Sequence, residues 1–142
     1  MKRISILIVL IAIVLTACAP RKPAPLGADA PADNVPNILG SYALNANDPT
    51  GEQYGGTLTV FASEAADEYK LQWLVSGDIQ EGVGTLKGNQ LTFTWHSIPG
   101  TDQDISGSGT YTVTVNGELY GVRYISGVEE PGTEAAYPNA KP

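Results

Sequence analysis

The sequence predicts an all-β protein, an antiparallel up-and-down meander of seven to eight strands closing into a small barrel. Three observations carry that expectation. Apolar and polar residues alternate with a period of two, as in Leu91, Phe93 and Trp95 against Thr92, Thr94 and His96, the pattern of a half-buried strand. Turn signals recur between such runs; Asn116-Gly117 is the strongest, because both residues tolerate the positive φ of a type I′ hairpin. No segment carries a 3.6-residue period, and 16 glycines and 10 prolines against two phenylalanines and one methionine favour turns and short strands.

Two segments of different composition come first. Residues 1–17 read as a signal peptide: Lys2 and Arg3 start it, and Ile4 to Leu15 is apolar apart from Ser5. That stretch is short of the roughly 20 residues a spanning helix needs. It ends in Leu15-Thr16-Ala17-Cys18. This resembles the lipobox of bacterial lipoproteins, and the resemblance implies cleavage before Cys18 and a diacylglycerol thioether on its sulfur, with palmitate-type chains as the membrane anchor. At about 0.8 kcal/mol per buried methylene, one acyl chain holds a membrane marginally and two or three hold it durably. The alternative is an ordinary secretory signal cut near Ala17 or Ala19, or an uncleaved anchor. Ala19 stands where an inner-membrane retention aspartate would be. The expected place is therefore the cell envelope, on the outer membrane if the cell has one.

Residues 18–37 carry the cysteine and then five prolines between Ala19 and Asn37, with almost nothing large and apolar. Such a segment cannot bury enough surface to order itself. It reads as a tether, roughly 60 Å long at ~3.1 Å per residue when extended. The barrel domain is assigned to 38–130, which is one domain and too short for two. Its strands are expected near 39–46, 54–62, 68–76, 79–86, 90–96, 105–115 and 118–126, with an eighth left open. Asp48-Pro49-Thr50-Gly51, Glu64 to Asp67, Ser76-Gly77-Asp78 and Gly88-Asn89 supply turns, and Pro99-Gly100 marks a longer loop. Residues 131–142, with three prolines, read as a flexible tail in which Ala135 to Tyr137 has the chance to cover a strand edge.

A meander with one apolar face must close or be covered, because an open sheet leaves both edges unpaired. The inward candidates are Tyr42, Leu44, Tyr54, Leu58, Val60, Tyr69, Leu71, Trp73, Val75, Val83, Leu91, Phe93, Trp95, Tyr111, Val113, Val115 and Leu119. Their bulk predicts a mostly packed interior with a shallow mouth. The spaced residues Gly40 and Tyr42, Tyr54-Gly55-Gly56 and Leu58, Tyr69, Leu71 and Trp73, Gly82, Gly84 and Leu86, and Asn116-Gly117 with Leu119 and Gly121 resemble those of small exported bacterial barrels of avidin-like or lipocalin-like shape. Some members of that group carry a fibronectin-binding label. The resemblance implies the fold, and implies an aromatic residue where Arg123 stands.

Charge and residue types then narrow function. Residues 38–130 hold three basic side chains (Lys70, Lys87, Arg123) against twelve acidic ones. Phosphate backbones would be repelled by such a surface, so nucleic acid is excluded. With Cys18 the single cysteine, the domain has no thiol for a disulfide, zinc cluster or thiol catalysis. His96 falls on the threonine face of its strand, with no nucleophile or carboxylate placed beside it by spacing. Asp102-Gln103-Asp104 lacks a calcium-loop pattern. Glu129-Glu130 and Glu64 to Glu68 lie in turns or near the terminus, where charge serves solubility. No cofactor and no metal is expected.

The candidate ligand-binding residues are Trp73, Trp95, Arg123 and Tyr54. The tryptophans suit stacking at a barrel mouth or, by strand spacing, the core. Arg123 points inward if it shares parity with Leu119 and Gly121, where it must find a carboxylate, a carbonyl or an aromatic face. With Tyr120, Val122 and Tyr124 inside instead, it is exposed; at the rim it is a handle for an anion. The expectation is a non-enzymatic, lipid-anchored binding or interaction module contacting a protein, a glycan or another envelope component. A small-ligand carrier is the alternative and an enzyme a distant third.

Overall fold

A computed structural model describes residues 23–100 and 104–139. Eight strands run β1 (Gly40–Asn47), β2 (Gln53–Ala62), β3 (Glu68–Val75), β4 (Asp78–Lys87), β5 (Gln90–Ser97), β6 (Ser106–Val113), β7 (Leu119–Ile125) and β8 (Gly132–Pro138). Each pairs antiparallel with its sequence neighbour, and β8 returns to β1 through the register Tyr42↔Pro138 to Asn47↔Thr133, which closes the barrel. The all-β meander and its closure are as the alternation predicts.

The tail reading is corrected: Gly132–Pro138 is the eighth strand, bonded to β7 as well as β1. Without it two edges would stand open, so backbone pairing rather than apolar content holds this segment. The tether reading is corrected for its second half. Ala30 N–H donates to the Val113 carbonyl at 2.9 Å and Val115 N–H to the Ala28 carbonyl at 2.8 Å, with Asp29 bridged to Thr114. Ala30 and Ile38 are fully buried. Residues 27–38 therefore form a strap across the barrel end that carries the β4–β5 and β6–β7 turns. Cys18 and the leader lie outside the described residues, as do Asp102 and Gln103.

Inside, Trp73, Phe93 and Tyr111 form the packed heart, with ring centroids 5.3 Å and 4.7 Å apart in succession. Fifteen of the seventeen inward candidates are buried or half-buried; Val83 and Val115 are exposed, a further correction. On β4 the inward positions include Gln80, Gly82 and Gly84, the two glycines standing where neighbouring side chains and backbone occupy the space a Cβ would take. A Cβ on Gly82 would lie 3.0 Å from the Trp73 ring, and one on Gly84 would lie 3.1 Å from Phe93 Cβ. Val83, the one bulky residue between them, is pushed to the outer wall.

Candidate functional site

The two ends of the barrel are built differently. At the strap end Tyr42 donates its hydroxyl to the Ile38 carbonyl at 2.7 Å, and burial raises that phenol to about 12. Asn89 donates to the Ala30 carbonyl at 2.8 Å, and Tyr120 donates to Asp29 at 2.7 Å. Glu118 accepts from the Thr114 hydroxyl, from Gly27 N–H at 3.2 Å and from Asn116 at 3.4 Å. Burial pushes the Glu118 carboxyl up, but these donors together outweigh it and hold the group below its ordinary value.

At the opposite end a cavity of about 440 Å³ opens between the β1–β2 and β3–β4 turns, the start of β6 and the β7–β8 region. Its walls include Val75, Ile105 and Ile125, and its rim carries Asp48, Glu52 and Asp78. The Asp48 carboxyl is held low, first by the Thr50 hydroxyl and then, against slight desolvation, by backbone N–H groups of its own turn. Deeper in, the cavity is lined by Tyr54, Gln80, Trp95 and Arg123.

Arg123 organises this inner surface. It points inward and is 5% exposed, which settles its parity with Leu119 and Gly121. Its Nη1 donates to Glu134 Oε1 at 3.0 Å in an ion pair with both side chains buried, and Nη2 donates to the Gln80 side-chain carbonyl. The guanidinium lies 3.8 Å from the Trp95 ring centroid and 4.6 Å from that of Trp73, close enough for cation–π attraction. Glu134 also accepts from Tyr54 at 2.7 Å and from Tyr111, whose hydroxyl in turn accepts from Trp73 Nε1 at 3.1 Å. Burial and then the Glu134 charge raise both phenols, so they act as donors and not as acids. Arg123 Nε is a buried donor with no acceptor among the described residues.

Of the sequence candidates, Tyr54, Trp95 and Arg123 line the cavity, whereas Trp73 sits beneath it in the packed core at 0% exposure. Arg123 finds all three kinds of partner that an inward charge needs, in Glu134, Gln80 and the tryptophan faces. It is no rim handle for an anion. Glu134 and Gln80 are not among the sequence candidates; the signal that points to Glu134 is the unpaired demand of Arg123 itself. His96 is exposed, opposite Glu81 and Ser106 on the outer wall.

No protein-family model matches the chain, and no curated protein does. Solved structures do match in fold. A redesigned β-barrel, b11L5F_LGL, superposes with a TM-score of 0.62 at 11% identity, covering 72% of this chain and 91% of that one. The redesigned barrel mFAP1, solved bound to DFHBI, gives 0.59 at 14% identity over 70% and 94%. A fluorescence-activating β-barrel designed de novo gives 0.56 at 13% over 71% and 93%. At these identities the likeness establishes a small eight-stranded barrel, an architecture compatible with a binding module.

Proposed function

We propose that this chain is an exported, lipid-anchored, non-enzymatic binding module that takes a small molecule into the open end of its barrel. The ligand reading rests on one observation: the strap and the packed aromatics fill one end, while the other holds a cavity of about 440 Å³ with Trp95, Arg123, Gln80 and Tyr54 on its inner surface. That volume lies within the roughly 300–1,000 Å³ of small-molecule sites. The similar barrel solved with DFHBI supports the reading by analogy of fold. A packed interior with only a shallow mouth would favour macromolecular contact; the cavity shifts the balance. Contact with a protein or glycan keeps one supporting feature, the exposed Phe61, Leu74, Ile79 and Val83 on the outer wall of β2–β4.

Anchoring rests on the lipobox-like Leu15-Thr16-Ala17-Cys18. Metabolic labelling with an alkynyl fatty acid should tag the protein, and Cys18→Ser should lose both the tag and carbonate-resistant membrane association. A membrane-bound Cys18→Ser protein would refute it. The ligand reading is tested by thermal shift of the chain from Ala19 onward, strap included, against a small-molecule library. A ligand held only by the folded state adds about 2.7 kcal/mol at a hundredfold excess over Kd. No shift with any compound, alongside capture of an envelope or matrix partner by the immobilised protein, would favour the outer wall instead.

A further inference from the structure

Among the described residues Arg123 is the one basic side chain lining the cavity, and its charge is already matched by Glu134 at 3.0 Å. The rim beyond it carries three carboxylates, Asp48, Glu52 and Asp78, and the whole chain carries a formal charge of −7. An anionic ligand would therefore meet a neutralised arginine at the bottom and repulsion at the entrance. The walls between are apolar at Val75, Ile105 and Ile125. Trp95 and Tyr54 add aromatic surface beside the arginine.

Resting on the small-ligand reading, we infer that the cavity takes an organic cation: a compact apolar or aromatic body set against Trp95 and the apolar walls, with its positive charge held at the acidic rim. Such a body leaves the Arg123–Glu134 pair undisturbed. A carboxylate placed beside Arg123 would compete with Glu134 for the same guanidinium. The rim carboxylates act through space on the bound charge and also draw cations toward the entrance, so binding weakens with salt.

The test uses three quinolines that share one body and one ring-nitrogen acceptor and differ only in an aminomethyl, methyl or carboxyl substituent. Their affinities are measured by titration calorimetry on the soluble protein. The amine should bind tightest and the acid weakest, and the amine should lose several-fold in affinity on going from low salt to about 0.5 M. Glu52 is exposed and its side chain sits in none of the hydrogen bonds of its turn, so Glu52→Lys is a clean probe. It should weaken the amine about fivefold and the methyl compound much less. Equal affinity across the series, or tightest binding by the acid, would overturn the inference and leave ligand binding intact. Failure of all three to bind would overturn the inference as well, while the small-ligand reading itself stands or falls with the wider library.

Discussion

The strap end and the open end of this barrel solve the same problem in opposite ways. Both contain a buried carboxylate on or beside β7–β8, Glu118 at one end and Glu134 at the other, at 8% and 3% exposure. Glu118 is surrounded by neutral donors drawn from the strap and its own turn, and its charge helps to pin a segment of chain over the barrel. Glu134 is tied to an arginine, two tyrosines and, through Tyr111, a tryptophan, and above this network the chain leaves space. The lesson is that a small barrel has room for one end to be sealed by its own sequence while the other keeps a polar, ordered inner surface beneath an opening. Order without filling is what a binding site requires.

Breaking the open-end network should produce the largest effect. Glu134→Ala strands a buried guanidinium and takes an acceptor from Tyr54 and Tyr111, so urea denaturation should show a loss of about 3–5 kcal/mol. The double variant Arg123→Met with Glu134→Gln should recover most of that, since removing both charges removes the unpaired one. If the double variant is as damaged as the single, the charge pair is not what holds this end. Next in size is a packing contrast. Leu119→Ala, in the filled half at 0% exposure, should cost about 3 kcal/mol, whereas Ile125→Ala, against the cavity and half-buried, should cost about 1 kcal/mol.

Glu118 sharpens the comparison through pH. Its folded-state carboxyl titrates below the ordinary value of 4.5, so the folded state is stabilised by the ionised form. That contribution is fully present above the unfolded value and is lost as pH falls through the lower, folded one. Glu118→Gln should flatten this part of the stability profile below about pH 4.5. Urea midpoints of the two proteins across the acid range check it; parallel profiles would show that the Glu118 charge does not hold the strap. The smallest effect belongs to the rim: Glu52→Gln should change stability by no more than about 0.5 kcal/mol, as measured in the same assay.

Much of the barrel is legible in the sequence because period-two alternation and Asn116-Gly117 are local signals. What escapes is non-local or compositionally disguised. β8 reads Gly-Thr-Glu-Ala-Ala-Tyr-Pro, and its inward residues are a glycine, a glutamate and an alanine, so no hydrophobic stripe announces it. Its Glu134 faces inward by alternation with Gly132 and Ala136, and Arg123 on the neighbouring strand meets its charge. The strap resembles a proline-rich linker because most of its hold on the barrel is through its backbone groups and small residues, which leave little trace in composition. Val83 misleads for the reverse reason: flanked by glycines it has the look of the core residue of its strand, while Trp73 and Phe93 occupy the inside.

The most direct test of the asymmetry uses the two indole N–H signals in a proton–nitrogen correlation spectrum of the soluble protein. Trp95 donates to the Tyr124 carbonyl and lines the cavity; Trp73 donates to Tyr111 beneath it. Titrating in any compound that raises the melting temperature should move the Trp95 indole and the amides of Gly77 and Gly132 most, the Trp73 indole less, and the strap-end amides of Asn89 and Gly117 not at all. Perturbation centred on Asn89 and Gly117, or on the outer wall at Leu74 and Val83 with the Trp95 signal unmoved, would contradict an open-end site.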